Sequence, residues 1–351
     1  MRLYFSGSMT GVNPFVNRAK IDSWRYGFQI LFMTLFVVPF RLTIYVIFFF
    51  VTYCLAFVAS LIDNDFSRPL SGIRMCLFHL MNELIVWGHV LGIGFQVKIV
   101  GERAPAHVAP ILVCAPHSSF FDVLAHCSIG TPTVVGKIGL FSAPMIGRML
   151  CLTVPIIIDR KDKEGRRQAM GTISRRASEL FASNPQPTKS NFCGRKIFRN
   201  AVIWNENCIK NPWPQICIFP EGTCTNRTQL ITFRAGAFHP GLPVQPICFK
   251  WLADQPHDVV SWTWEGASLV RLMWLAMCNI SNKLEIYYLP VYVPNELEKL
   301  DPHLFARNVR QKMAEYLNIP VSEFTLDDAI YLTDYGRPTM EQFRSLCQNA
   351  G

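Results

Sequence analysis

Residues 28–62 are almost wholly apolar, broken by Pro39 and Arg41. A helix that crosses a bilayer needs about 20 consecutive apolar residues. Residues 42–62 reach that length and residues 28–40 fall short of it. The pattern therefore predicts one of two arrangements: a transmembrane helix after an interfacial segment, or a hairpin that dips into one leaflet and turns near Pro39. Arg41 would be costly in the middle of a bilayer and is expected to snorkel to a surface. A second apolar segment, 75–95, carries His79, Asn82, Glu83 and His89. It suits a helix packed between the anchor and a globular domain, or one lying in the interface.

From residue 96 the texture changes. Residues 96–100 alternate as a strand and 101–110 read as a loop. A buried strand then runs from Ile111 to a proline-marked turn at Pro116. Further short apolar strands are expected at 133–135, 153–158, 215–219, 243–249 and 284–293. Helical patterns follow Asp122 and fill 142–149, 164–182 and 304–317. Strands alternating with helices predict an α/β fold. Residues 184–213 form a polar insertion of low periodicity. The expected organisation is a polar segment 1–27, membrane-anchoring helices 28–97, a domain 98–300 and a C-terminal helix and tail 301–351.

Composition supports the anchor. Of the 351 residues, 50% are hydrophobic and 17% charged, against about 25% charged in a soluble domain. The net charge of +9 favours anionic partners such as a membrane surface or a phosphate-bearing ligand. Nucleic acid is not expected, because the basic residues are scattered and form no nucleic-acid motif. The start lacks the small-residue cleavage site of a signal peptide. The twelve cysteines are dispersed without a C-x-x-C pair, so neither zinc nor a disulfide framework is expected. They read as reduced thiols facing the cytosol, which leaves the sequons at Asn226 and Asn279 unused.

The candidate chemistry lies in ILVCAPHSSFFD, residues 111–122. His117 stands at the carboxyl end of a strand, Ser118 or Ser119 is expected to cap the helix behind it, and Asp122 falls in or near its first turn. Alone, a histidine and an aspartate five apart are a weak signal. Three further strand ends carry Lys137, Asp159-Arg160 and Glu221-Gly222-Thr223, and side chains at several strand ends can converge on one crevice. Such a set suits proton removal from a hydroxyl by a neutral imidazole whose tautomer a carboxylate fixes. No serine lies in a G-x-S-x-G elbow, so the attacking hydroxyl could belong to a substrate. Arg160 and Lys137 suit phosphate oxygens.

At these positions the chain resembles the glycerolipid acyltransferases. HSSFFD fits their H-x4-D block, and VPIIIDR, FPEGTCTNR and LPVQPICF follow as the other three blocks in order. EGTCTNRT with ITFRAGAF, SWTWEG at 261–266 and NPFV before the apolar run are similar to the lysophosphatidylcholine acyltransferase branch. The resemblance implies a mixed sheet flanked by helices, with an N-terminal membrane-embedded helical segment. It implies acyl transfer from acyl-CoA to the free hydroxyl of a lysophospholipid, lysophosphatidylcholine foremost, with main-chain donors near the two motifs steadying the tetrahedral intermediate. His117 would be the general base and Asp122 its orienting partner. Arg160, Glu221 and Gly222 would bind the glycerol-phosphate part, with Lys137 and Thr223 beside them. Many members have arginine where this chain has Cys224, which fits an acceptor with a choline or ethanolamine headgroup.

No cofactor or metal is expected, and acyl-CoA enters as substrate. The tail shows no calcium-binding EF-hand loop, so calcium regulation through such loops is not expected. The expected location is the endoplasmic reticulum membrane with the domain facing the cytosol, or a lipid droplet. Three alternatives stay open. One is an acyl- or acetyltransferase for lysophosphatidylethanolamine, lyso-platelet-activating factor or lysophosphatidic acid. Another is a membrane or lipid-droplet protein silenced by the 184–213 insertion. The third is a lipid hydrolase, which would need a protein nucleophile.

Overall fold

The computed structural model describes residues 13–19, 21, 23–62, 68–143, 145–159, 162–183, 213–252 and 258–329. A two-residue strand β1 (Val16–Asn17) precedes three apolar helices: α1 (Trp24–Phe36), α2 (Val38–Ile62) and α3 (Gly72–Gly92). The chain breaks near Pro39 but not at it. Proline is tolerated in the first turn of a helix, where its missing N–H has no partner to lose. Pro39 is the second residue of α2, and the break falls one residue before that helix, at Val37.

The close partner of α2 is α3, which runs antiparallel to it. Gly92 faces Tyr45 and Gly88 faces Phe48, while Phe78 and Met81 share a cluster with Ala56 and Ala59. A Cβ on Gly92 would sit 2.7 Å from the Tyr45 Cβ and 2.9 Å from its backbone, so this crossing requires glycine. Helices α2 and α3 are both long and apolar enough to cross a membrane. The free side of α1 and α2 presents Phe28, Phe32, Phe40, Ile47 and Phe50, all at least half exposed.

Arg41 turns inward rather than snorkelling. Its guanidinium donates to the carbonyls of Met277 at 2.7 Å, Asn279 at 2.5 Å and Ile280 at 2.9 Å. These are the orphan acceptors at the C-terminus of a later helix, where a cation is favoured. Gly94, at φ +85°, leaves room for that guanidinium; a Cβ there would lie 2.8 Å from Nη2.

The domain that follows contains β2 (Phe95–Val100), β3 (Ile111–Ala115), α4 (Asp122–Ser128), β4 (Thr133–Lys137), α5 (Ile138–Phe141), α6 (Ile146–Cys151), β5 (Ile156–Ile158) and α7 (Lys163–Ala182). After the insertion come β6 (Ile216–Ile218), β7 (Val244–Leu252), β8 (Glu265–Gly266), α8 (Leu269–Cys278), β9 (Asn282–Tyr288), α9 (Glu296–Leu300) and α10 (Pro302–Leu317). Helix α8 is the one whose C-terminus Arg41 caps. The single helix expected at 142–149 is replaced by α5 and α6, with a break that includes Met145 at φ +62°.

Seven strands form one sheet in the order β2-β9-β7-β3-β6-β4-β5. Strands β7, β3, β6, β4 and β5 run parallel, and β9 is antiparallel to β7 and parallel to β2. This is the expected α/β class with a mixed sheet. Strand β3 is central and wholly buried, as a parallel strand covered on both faces must be. Its residues alternate between two cores. Leu112 and Cys114 face the cluster shared with α4 and α8, and Ile111, Val113 and Ala115 face the cluster shared with α7 and α10.

Of the insertion, residues 184–212 lie outside the described residues. Its return is anchored at Trp213, whose Nε1 donates to Glu179 at 2.7 Å and whose ring lies 3.9 Å under the Arg176 guanidinium. Arg176 is itself buried and donates to the Val154 carbonyl. That side of α7 is thus packed rather than solvated.

Candidate active site

His117 follows β3 after Pro116 and sits over the carboxyl end of the parallel strands. Its Nδ1 lies 2.6 Å from Asp122 Oδ2. The same carboxylate accepts the Ser118 N–H at 2.8 Å, the Ser119 N–H at 3.1 Å and the Ser118 hydroxyl at 3.1 Å. A carboxylate can only accept, so Nδ1 must donate, and Nε2 is left with a lone pair. Asp122 thus fixes the tautomer and the ring orientation together.

The serines behave differently from expectation. Neither side chain caps α4, whose N-cap position is Phe121. Ser119 Oγ accepts from the Phe121 N–H at 3.0 Å within the turn. The Asp122 carboxylate gathers the free N–H groups instead, as a short acid at a helix start does readily.

The segment after β6 closes over His117. Glu221 is fully buried, and its Oε2 accepts the His117 N–H at 2.6 Å. The Thr225 N–H donates to the His117 carbonyl at 2.8 Å, and the Phe219 ring centroid lies 4.5 Å from the imidazole centroid. Gly222, at φ +69°, makes the turn that lets Cys224 double back. Its Sγ comes to 3.6 Å from His117 Nε2. Thr223 accepts a hydrogen bond from Trp264 Nε1 at 2.7 Å.

Burial pulls the His117 imidazole toward neutrality. The Cys224 sulfur and the Asp122 carboxylate, one on each ring nitrogen, outweigh it, so protonation is held well above the usual histidine range. His117 keeps 27% of its side chain accessible, so solvent lightens the burial penalty. The Glu221 carboxyl is raised as well, which favours its neutral form: burial pushes it up to about 7, with Asp122 adding to the rise against the pull of His117.

Of the expected site residues, His117, Asp122, Glu221, Gly222 and Thr223 are brought together. Lys137 ends β4 at the same edge of the sheet but is exposed and two strands away from β3. Arg160 lies outside the described residues. Cys224 was read only as the absence of an arginine, and its approach to Nε2 depends on a turn that spacing does not reveal.

NPFV, EGTCTNRT and SWTWEG, far apart in the chain, meet here. Asn226 Nδ2 donates to the carbonyls of Asn13 at 2.9 Å and Val16 at 3.0 Å, and its backbone N–H donates to that of Pro14 at 2.8 Å. Val16 pairs with Glu265, and the Trp262 N–H donates to the Ser118 carbonyl at 2.8 Å. The amide nitrogens of both sequon asparagines are thus hydrogen-bonded within the protein, that of Asn279 to Asn282.

Residues 96–250 match the family model described as Acyltransferase. The chain carries an acyltransferase domain. Over most of its length it is similar to lysophosphatidylcholine acyltransferases. It is 34% identical over 325 residues to "Lysophosphatidylcholine acyltransferase" of Drosophila melanogaster, covering 92% of this chain and 55% of that protein. It is 34% identical over 327 residues to "Lysophosphatidylcholine acyltransferase 2B" of Mus musculus, covering 92% and 57%. The chain spans about half the length of these curated relatives. The crystal structure of the 1-acyl-sn-glycerophosphate (LPA) acyltransferase PlsC from Thermotoga maritima aligns at a TM-score of 0.46 with 14% identity. That alignment covers 85% of this chain and 100% of that one. The match to the acyltransferase family spans β2 through most of β7, and so includes His117, Asp122 and Glu221. The two long apolar helices upstream fit a membrane protein.

Proposed function

We propose that this chain transfers an acyl group from acyl-CoA to the free hydroxyl of a lysophospholipid, with lysophosphatidylcholine as the leading acceptor. The observation that carries the reading is His117, held by Asp122 through Nδ1 so that Nε2 is the basic nitrogen, inside a domain similar to lysophosphatidylcholine acyltransferases. In this reading Nε2 takes the proton of the acceptor hydroxyl and Asp122 stabilises the imidazolium. The oxygen then attacks the thioester carbonyl, and the departing coenzyme A sulfur takes the proton back. Glu221 holds the His117 backbone in place through its N–H. Gly222, Thr223, Lys137 and Arg160 are assigned to the glycerol-phosphate side.

The exposed apolar faces of α1 and α2 suit a membrane-held enzyme whose lipid substrates arrive from the bilayer. We assign it to the endoplasmic reticulum membrane with the domain facing the cytosol. Cys114 and Cys217, thiols 3.4 Å apart and unbonded, are in keeping with a reducing compartment.

The test is acyl transfer by membranes carrying the full chain, measured across a panel of lysophospholipids and acyl-CoA lengths. His117→Ala should lower turnover by about 10²–10⁴-fold, the usual contribution of a general base, while the protein stays in the membrane fraction. Full turnover by that variant, or no acceptor acylated by the intact chain, would overturn the reading.

A further inference from the structure

Three of the four residues of α5 are large and apolar, yet the helix buries none of them. Ile138 and Leu140 are exposed on it, and Met145 and Ile146 carry the exposed surface on to the start of α6. Ile157, paired with Gly136 on the edge strand β5, adds to it. The elbow between the helices closes through backbone. The Gly147 N–H donates to the Ala143 carbonyl at 2.9 Å, and a Cβ on Gly147 would collide with the Phe141 carbonyl. A turn held in this way keeps its shape while its apolar side chains stay outside. Charge follows the same pattern. Between Asp122 and Asp159 there is no acidic residue, and Lys137 and Arg148 within that stretch are both exposed. Exposed apolar patches of this kind mark interaction sites. An apolar tip flanked by basic groups and free of acids suits a bilayer with an anionic surface.

The elbow is fastened to the apolar helix α2. The Arg148 guanidinium lies 4.9 Å over the Phe57 ring, and its Nη1 donates to Ser60 Oγ at 3.4 Å. Met149 packs on the cluster that holds Ala56 and Ala59. Beside these contacts Leu61 and Ile62 are exposed, so the apolar surface of α2 runs on to α6. At its other end α2 is tied to α8 through Arg41. Helix and domain thus lie together, and lipid that covers the free side of α2 meets the elbow as well. We propose that the α5–α6 elbow is a second membrane-contact surface, which dips its apolar tip into the leaflet that holds α1 and α2. Its occupant is lipid rather than protein, because the surface continues a lipid-facing helix and carries basic charge alone. The elbow stands apart from His117, since it follows β4, two strands away from β3. The inference does not depend on which group the domain transfers.

The test puts the photoactivatable residue p-benzoylphenylalanine in place of Leu140 or Ile146 in the full chain, held in vesicles of phosphatidylcholine and phosphatidylserine. Irradiation should join both positions to lipid acyl chains, as it should at Phe32 on the exposed side of α1. Leu300 is more exposed than any of these and serves as the control. It lies in α9, just beyond Tyr292, which pairs with Val244 level with Ile111 at the opposite edge of the sheet. No lipid adduct is expected there. Ile138→Glu combined with Leu140→Glu should lower the adduct at position 146 by an order of magnitude or more, since charge is costly in hydrocarbon. The adduct at Phe32 and the melting temperature should stay as they were, because both changes fall on exposed positions. Lipid labelling at Phe32 without labelling at 140 and 146, equal labelling at Leu300, or an adduct at 146 that the double variant leaves unchanged would overturn the proposal. Adducts to a protein chain at 140 and 146 would overturn it in favour of a protein docking site, and failure at Phe32 too would remove the lipid-facing surface on which it rests. None of these readouts requires acyl transfer, so their failure leaves the proposed function standing.

Discussion

Asp122 grips the His117 ring through a 2.6 Å contact to Nδ1 while also binding the two backbone N–H groups that follow His117. The carboxylate therefore fixes the direction of the imidazole and, after the Cys224 sulfur, contributes to its raised basicity. Protonation of His117 lies well above the usual histidine range, so the base form increases as pH rises, and the ascending limb of the transfer rate falls on the alkaline side. Asp122→Asn removes the charge that favours the protonated ring. The ascending limb should then move to lower pH, while the plateau rate falls by up to about 10⁴-fold because the wrong tautomer is favoured. Initial rates against pH for both proteins check this; an unmoved limb would contradict it.

Glu221 supplies a stability signature. Its carboxyl is pushed up from 4.5 to about 7 in the folded protein, so the native state holds that proton more tightly than the unfolded chain does. Its contribution is full below about pH 4.5 and is lost as pH rises through about 7. Glu221→Gln has no such titration. Thermal inactivation of the two detergent-solubilised proteins should show wild type losing ground to the variant across that window. Parallel curves would refute the assignment.

Gly92 tests the antiparallel helix pair. A methyl group there meets the Tyr45 backbone at 2.9 Å, which no rotamer change relieves. Gly92→Ala should cost about 1–3 kcal/mol, as overpacking commonly does. Gly171, with open space around it, provides a control substitution in α7 that should cost far less. Melting temperatures of the two variants compare them directly.

Asn226 tests the strap formed by residues 13–17. Asn226→Ala removes the two hydrogen bonds to the strap, about 1–3 kcal/mol in total, along with the two its Oδ1 accepts from Thr228, and should loosen the segment. Trypsin cleavage at Arg18, timed on intact membranes, should quicken by an order of magnitude or more. An unchanged rate would mean that the strap is held elsewhere, for instance by Asn17 Nδ2, which donates to the Asp258 and Ser261 carbonyls.

What could be read from the chain without coordinates was local. The run from Ile111 to Asp122 carries its own strand, turn and acid, so the His117–Asp122 relation is legible from the six residues HSSFFD. The sheet order was not, because placing β9 between β2 and β7 depends on pairings nearly 190 residues apart along the chain. Helix α8 escaped notice although its signal exists: Ser268 caps it by accepting from the Arg271 N–H. Arg41 was misjudged because an arginine in an apolar run can be rationalised by lipid alone, and its true partners are carbonyls that only the fold delivers. Cys224 was hidden for a similar reason. Its place comes from a glycine turn that sets it against a histidine 107 positions earlier.

The strap also sets a length. Residues 13–17 are fastened beside the active-site segment, and the first apolar turn of α1 begins at Trp24. The six residues between them, even fully extended, reach only about 20 Å. That is close to the thickness of one lipid leaflet, about half of the 40–45 Å of a whole bilayer. Catalytic edge and greasy helix are therefore kept on a short leash. Under the proposed function, a lysolipid raises its hydroxyl to the histidine with its tail still among its neighbours, and no substrate has to be pulled free into water.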